Sequence, residues 1–172
     1  LPITVSGALM PDAHTGYGLP IGGVLATENS VIPFGVGLDI GCRMSLSIYD
    51  IPAEQIKRNH YQMKLALEEQ THFGIGSMQN TYEEHPVLDR KEFNELPILR
   101  KLHGKAKGQI GTSGSGNHFV EVGVVELEHD NQFNMPAGSY VGILAHSGSR
   151  GLGAAIADYY TPSGRFIQKS YA

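Results

Sequence analysis

The sequence predicts an α+β fold, with mixed sheets flanked by helices. Three observations predict it. Short apolar or alternating runs rich in β-branched residues recur between turn residues. Longer stretches of helix-forming residues separate them. Glycine accounts for 22 of 172 residues and gathers in three clusters, 16–41, 104–116 and 138–153, which punctuate the chain without a fixed repeat.

The elements follow in chain order. "LPIGGVLAT", 19–27, and "RMSLSIY", 43–49, read as short strands. Between Ala53 and about Glu69, "AEQIKRNHYQMKLALEE" predicts one helix with Ile56, His60, Met63 and Leu67 on a single stripe. Pro97 starts a shorter helix, because proline suits the first helical turn. "HFVEVGVVELE", 118–128, alternates loosely as a strand led by Asn117 and His118, which puts His118 and Val120 on one side and Phe119 and Glu121 on the other. "SYVGILAH", 139–146, is apolar enough for a buried strand, and "GLGAAIADYY", 151–160, turns helical. The segment holding Asp12 and His14, "MPDAHTGYGLPIGG", reads as a loop. A length of 172 residues suits one domain, 1–172. Leu1 is not methionine and the chain stops just after a helical stretch, so the domain is expected to be the N-terminal part of a longer one, incomplete at both ends.

Composition narrows the function classes. Apolar residues make up 41% and charged residues 17%, which is globular and not disordered. No apolar run reaches membrane-spanning length, and no secretory leader opens the chain. No membrane partner is expected. A single cysteine cannot form an internal disulfide, so a reducing, cytoplasmic setting is the expectation. A net charge of −4 speaks mildly against nucleic-acid binding. Its distribution is uneven, since Arg100, Lys101, Lys105 and Lys107 crowd before a glycine-rich loop. Such a run is either a solvated helix face or a phosphate-binding one.

Four polar residues interrupt the apolar pattern at glycine-rich turns. Asp39 stands three residues before the lone cysteine in "GVGLDIGCRM", 35–44. A thiolate and a carboxylate that converge repel unless a cation lies between them. His118 and His146 each sit at the edge of a glycine-serine loop, so Asp39, Cys42, His118 and His146 form a candidate metal set. No close Cys-x-x-Cys spacing supports it. Two other readings stay open: Cys42 as a small buried hydrophobe, and Cys42 with a histidine as a nucleophilic pair. "SGSRG" between strand and helix aims backbone N–H groups at an anion, with Arg150 as a clamp, or is an ordinary capped turn. Asp12 reads as a turn-fixing residue, while His14 fixes the turn or lines a site. His60, His72, His85, His103 and His129 have no glycine-turn context.

"MPDAHTGYGLPIGGVLAT", "VGLDIGCRM", "GQIGTSGSGNHFVE" and "AHSGSRGLG" resemble, in this order, the characteristic segments of the RtcB family of RNA ligases. The resemblance runs from about Leu9 to Leu152. It implies an RtcB-like fold and an enzyme that joins an RNA 3′-phosphate or 2′,3′-cyclic phosphate to a 5′-hydroxyl. The route it implies uses GTP and two Mn²⁺ ions and passes through a histidine–GMP and then an RNA–guanylate intermediate, in tRNA splicing or RNA repair. Carried over, Cys42 is the thiolate shared by both metals, Asp39 and His118 complete one metal, and His146 belongs to the other. Asn117, His118, Phe119 and Glu121 line the nucleotide, Asn117 on its phosphates and Glu121 on guanine. The partners implied are RNA with those ends, GTP and an activator protein. Zn²⁺ is a further expected occupant, because a Cys/His set is soft. The nucleophilic histidine is expected beyond residue 172, so this chain supplies part of a site. The alternatives are a metal-dependent phosphohydrolase and an inactive metal-binding fragment.

Overall fold

The computed structural model describes residues 2–16, 18–32, 34–79 and 84–170, the side chains of 165–170 excepted. Small antiparallel sheets and helices make an α+β fold. The chain divides into two compact units, one of Leu1–Gly41 with Ser149–Ala172, the other Cys42–Gly148.

The first unit holds strands β1 (Thr4–His14) and β2 (Ile21–Thr27) and helix α5 (Arg150–Ser170). β1 and β2 pair antiparallel, with Gly7 opposite Leu25 and Leu9 opposite Gly23, and the register shifts between Leu9 and His14. The segment of Asp12 and His14 is therefore strand, where the residues alone read as loop. Pairing to β2 supplies the backbone partners that local sequence does not reveal. The His14 ring takes the local bond expected of a turn-fixing residue, its Nδ1 lying 2.9 Å from the Asp12 carbonyl oxygen. α5 runs on through Pro162, well past residue 160.

The second unit is built on a three-stranded sheet in the order β3 (Arg43–Pro52), β5 (Gly138–Ser147), β4 (Phe119–Leu127). Both pairings are antiparallel, and β5 is central, as its apolar run predicts. The stretch 53–69 is two helices, α1 (Glu54–Arg58) and α2 (His60–Gln70). Asn59 separates them at φ −116° and ψ 23°. Its backbone N–H keeps the helical bond to the Gln55 carbonyl at 2.9 Å, and its side-chain amide donates to the same carbonyl at 3.2 Å and to the Gln55 side chain at 3.0 Å. Short α3 (Glu92–Glu95) leads into α4 (Pro97–Gln109), with Pro97 in its first turn as expected. Leu88, Phe93 and Ala106 are buried around these helices, and Leu127 and Val141 on the sheet. His103 takes a structural place in this cluster. Its ring lies 4.7 Å from that of Phe93, and its Nε2 is 2.9 Å from the Leu88 carbonyl oxygen.

Candidate metal centre

Antiparallel register brings three chain segments to one end of the sheet. Met44 and Phe119 both lie opposite His146 on the central strand, so these three side chains share a face. Cys42 directly precedes β3 and His118 directly precedes β4. The ligand atoms of Cys42, His118 and His146 all lie within 4.8 Å of one another. Cys42 Sγ is 3.8 Å from His118 Nε2, and the two imidazole rings meet edge-on with centroids 5.4 Å apart.

Strict strand alternation would have sent His118 to the face opposite Phe119, away from His146. The ladder starts at Phe119 and not at Asn117, and this frees His118 to turn toward Cys42. The loop before it makes the turn. Gly114 and Gly116 hold φ of +110° and +73°, a region that costs a side chain about 1–2 kcal/mol. The loop is also anchored. Ser113 N donates to the His72 carbonyl at 2.9 Å, and Gly74 N to the Gly114 carbonyl at 2.7 Å. The Ser147 hydroxyl, next to His146, donates to the Ser113 carbonyl at 2.7 Å. Thr112 and Ser113 are buried beneath it. On the third strand, the Arg43 guanidinium donates to the Cys42 carbonyl at 2.7 Å.

The donor set fits a divalent metal. Metal–sulfur and metal–imidazole bonds of about 2.0–2.3 Å place tetrahedral ligand atoms roughly 3.3–3.8 Å apart; Cys42 Sγ and His118 Nε2 are 3.8 Å apart, and all three ligand atoms lie within 4.8 Å of one another. A nucleophilic Cys–His pair needs only one imidazole on the thiol, whereas here the ligand atoms of two lie within 4.8 Å of it. His146 Nδ1 also lies 3.0 Å from the Met44 sulfur, a contact that sequence spacing did not flag, since 102 residues separate the two.

The nucleotide candidates follow on the same strand. Phe119 stacks on His146 with centroids 5.7 Å apart. Glu121 lies opposite Leu144, two residues along the face shared by His146 and Phe119, and is exposed. Asn117 sits exposed in the loop.

Asp39 belongs to the first unit. One of its carboxylate oxygens accepts from both the backbone N–H and the hydroxyl of Ser149, each at 2.8 Å. The "SGSRG" turn, read from sequence either as an anion site or as an ordinary capped turn, thus meets a carboxylate of this chain at the start of α5. Arg150 holds φ +54° there. Partial burial holds its guanidinium pKa below the ordinary value, an effect that neighbouring Asp39 offsets only in part. A Cβ on Gly153 would collide with the Ser149 side chain, so glycine leaves room for the serine that holds Asp39. An apolar cavity of about 360 Å³ in this unit, lined by Leu9, Leu19, Pro20 and Val24 among others, carries no titratable group.

Comparison with known proteins adds the family. The model described as "tRNA-splicing ligase RtcB" matches residues 1–97 and 90–170. The chain is 34% identical to the tRNA-splicing ligase RtcB of Nanoarchaeum equitans over 95% of its own length and 41% of the relative's. It is 35% identical to the tRNA-splicing ligase RtcB of Aeropyrum pernix, covering 88% of this chain and 39% of that protein. It is 32% identical to the RNA-splicing ligase RtcB of Escherichia coli K12, covering 89% and 38%. The chain spans about two fifths of the length of these relatives.

Proposed function

The chain belongs to the RtcB family, and from that premise we propose that it supplies part of the catalytic centre of an RNA ligase. The reaction proposed joins a 3′-phosphate or 2′,3′-cyclic phosphate end to a 5′-hydroxyl, through a histidine–GMP and then an RNA–guanylate intermediate. The observation that carries the reading is the convergence of Cys42, His118 and His146 from three chain segments at one end of the sheet. A centre that handles phosphates must offset their negative charge, and metal ions held by such ligands do so.

Cys42, His118 and His146 would hold metal, with Asp39 as a further ligand through its carboxylate. The metal would stabilise phosphate negative charge. The chain's own residues set the rest. Ser149 orients the Asp39 carboxylate, and Ser147 ties the His146 strand to the His118 loop. Phe119 and Glu121 extend the same sheet face, where an aromatic ring and a carboxylate suit a guanine base. Guanine offers N1–H and an amino group to an acceptor, and adenine cannot match that pair. GTP is therefore the proposed nucleotide. Mn²⁺ is the proposed working metal on the family's pattern, although thiolate and imidazole also favour Zn²⁺. The two compact units are parts of one larger catalytic domain in this reading, the nucleophilic histidine lies outside 1–172, and the setting is the cytoplasm, in tRNA splicing or RNA repair, with an activator protein as partner.

The test is guanylylation of the full-length protein with labelled GTP and Mn²⁺, followed by joining of RNA ends. Loss of both steps on Cys42→Ala, with the fold retained by circular dichroism, is the expected result. Phosphate release from RNA without any nucleotide would instead favour the phosphohydrolase reading.

A further inference from the structure

We propose that the basic face of α4 is a track for the phosphate backbone of single-stranded RNA, in the same compact unit as the metal centre. This inference rests on the RNA-ligase reading and names a surface by which that substrate is held.

α4 carries four cations, Arg100, Lys101, Lys105 and Lys107, and no acidic residue, in a chain whose net charge is −4. At 3.6 residues per turn these four fall within about 160° of arc, over roughly 10 Å of helix. Ala106 lies on the opposite side, in the buried cluster, and His103 flanks the arc next to Lys107, its ring against Phe93. Local energetics do not explain the cations. Lys101 and Lys105 are a like-charge pair at i,i+4, which costs a few tenths of a kcal/mol. The helix dipole favours cations only near the C-terminus, which accounts for Lys107 but not for Arg100 or Lys101 in the first half. The cations just upstream are paired, Arg90 with Glu92 and Lys91 with Glu95, whereas among the described residues no ion pair engages the four on α4. Arg100, Lys101 and Lys105 are exposed, and Arg100 is steadied by donating to the Asn94 carbonyl.

Two further features suit an extended polyanion. Gly104 sits amid the cations, and a Cβ there would meet nothing within 4 Å, so the face is open at this turn, whereas one turn on Gly108 is buried against Met78. The C-terminal end of α4 continues into Thr112 and Ser113, and the Ser113 carbonyl is bonded to Ser147, the neighbour of His146. The chain leaving α4 thus joins the loop that carries His118, in the same compact unit as the metal centre. Single-stranded RNA is the polyanion an RNA ligase must hold by its ends, and a basic face in that unit suits its backbone.

The experiment measures fluorescence anisotropy of a labelled single-stranded oligoribonucleotide across a salt series, with metal affinity measured in parallel. Lys101→Gln with Lys105→Gln should weaken RNA binding about tenfold at low salt. It should also flatten the slope of log affinity on log salt by about 1.4, or 0.7 for each lost phosphate contact. Gly104→Glu, which keeps the cations and has room for the side chain, should weaken binding in the same direction. Metal affinity should not change in any variant. Unchanged affinity and slope in the variants would sink the track while leaving the ligase reading standing. Absence of salt-dependent RNA binding in the wild type, or α4-dependent binding to phosphatidylserine vesicles in its place, would also overturn it. A track that behaves as expected in a protein that full-length assays show to form no guanylate would overturn the ligase reading and keep the face.

Discussion

The Ser147 hydroxyl donates to the Ser113 carbonyl over 2.7 Å, and this bond ties the strand of His146 to the loop that delivers His118. Convergence of the two imidazoles on Cys42 depends on that loop holding its place. Ser147→Ala should keep the fold, since β5 retains its ladder to both neighbours. It should cost about 0.5–1.5 kcal/mol, the net worth of one hydrogen bond, and lower metal affinity in proportion. Denaturation and calorimetric metal titration measure the two effects, and unchanged metal affinity would show that the loop holds without the serine.

Gly116 offers a cleaner test of how the loop aims His118. A Cβ there meets nothing within 4 Å, yet its φ is +73°. Gly116→Ala should therefore destabilise through the backbone alone, by about 1–2 kcal/mol. Gly104→Ala, with equal space but inside α4, should stabilise by about 0.5–1 kcal/mol, because alanine restricts the unfolded chain more. Equal effects of the two substitutions in chemical denaturation would contradict this account.

Much of the site is legible in the sequence because its residues break a local pattern. Cys42, His118 and His146 stand out as polar or reactive groups at glycine-rich turns, and the structure brings all three together. The four strands expected from alternating or apolar runs also appear near their expected bounds, and α4 starts at Pro97. The misses have long-range causes. β1 contains Pro11 and Asp12 and reads as loop, and only pairing with β2 makes it a strand. The break at Asn59 is the local exception, a departure of one residue's backbone to φ −116° and ψ 23° that no periodicity in 53–69 signals. The bond from Ser149 to Asp39 spans 110 residues, and no spacing rule reaches that far. His118 shows the limit of periodicity itself, for alternation gives its face correctly only if the ladder includes it.

The exposed pair of Arg90 and Glu92 gives a pH prediction for the approach to α4. The Arg90 guanidinium donates to Glu92, at 2.6 Å to one oxygen, and this hydrogen bond lowers the Glu92 pKa from 4.5 to about 2. A depressed carboxylate contributes stability that is fully present above its unfolded pKa and is lost as pH falls through the folded one. The stability difference between wild type and Glu92→Gln should be constant above about pH 4.5 and shrink toward zero near pH 2. The effect should be small, since both side chains are solvated. A difference that grows on acidification would reverse the sign and refute the assignment.

Glu121 gives the sharpest test of nucleotide choice. It is exposed on the sheet face of His146 and Phe119, about 7 Å along the strand from Phe119 at two residues' rise. A nucleotide whose phosphates meet the metal at His146 would have its base within reach of that carboxylate. Two acceptor oxygens match the two donors on one edge of guanine, whereas adenine presents an acceptor and a donor. Glu121→Gln changes one acceptor to a donor with almost no change in shape, so the sheet and the metal ligands should be undisturbed. In the full-length protein it should reduce discrimination of GTP over ATP by about 1.5–3 kcal/mol, the range for a hydrogen bond to a charged group. Competition binding of the two nucleotides, with Mn²⁺ present in both arms, measures the ratio directly. Metal titration in the same variant checks that the centre is intact. Equal discrimination in wild type and variant, with metal affinity preserved, would remove Glu121 from the guanine contact and leave the metal centre as the part of the proposal still supported.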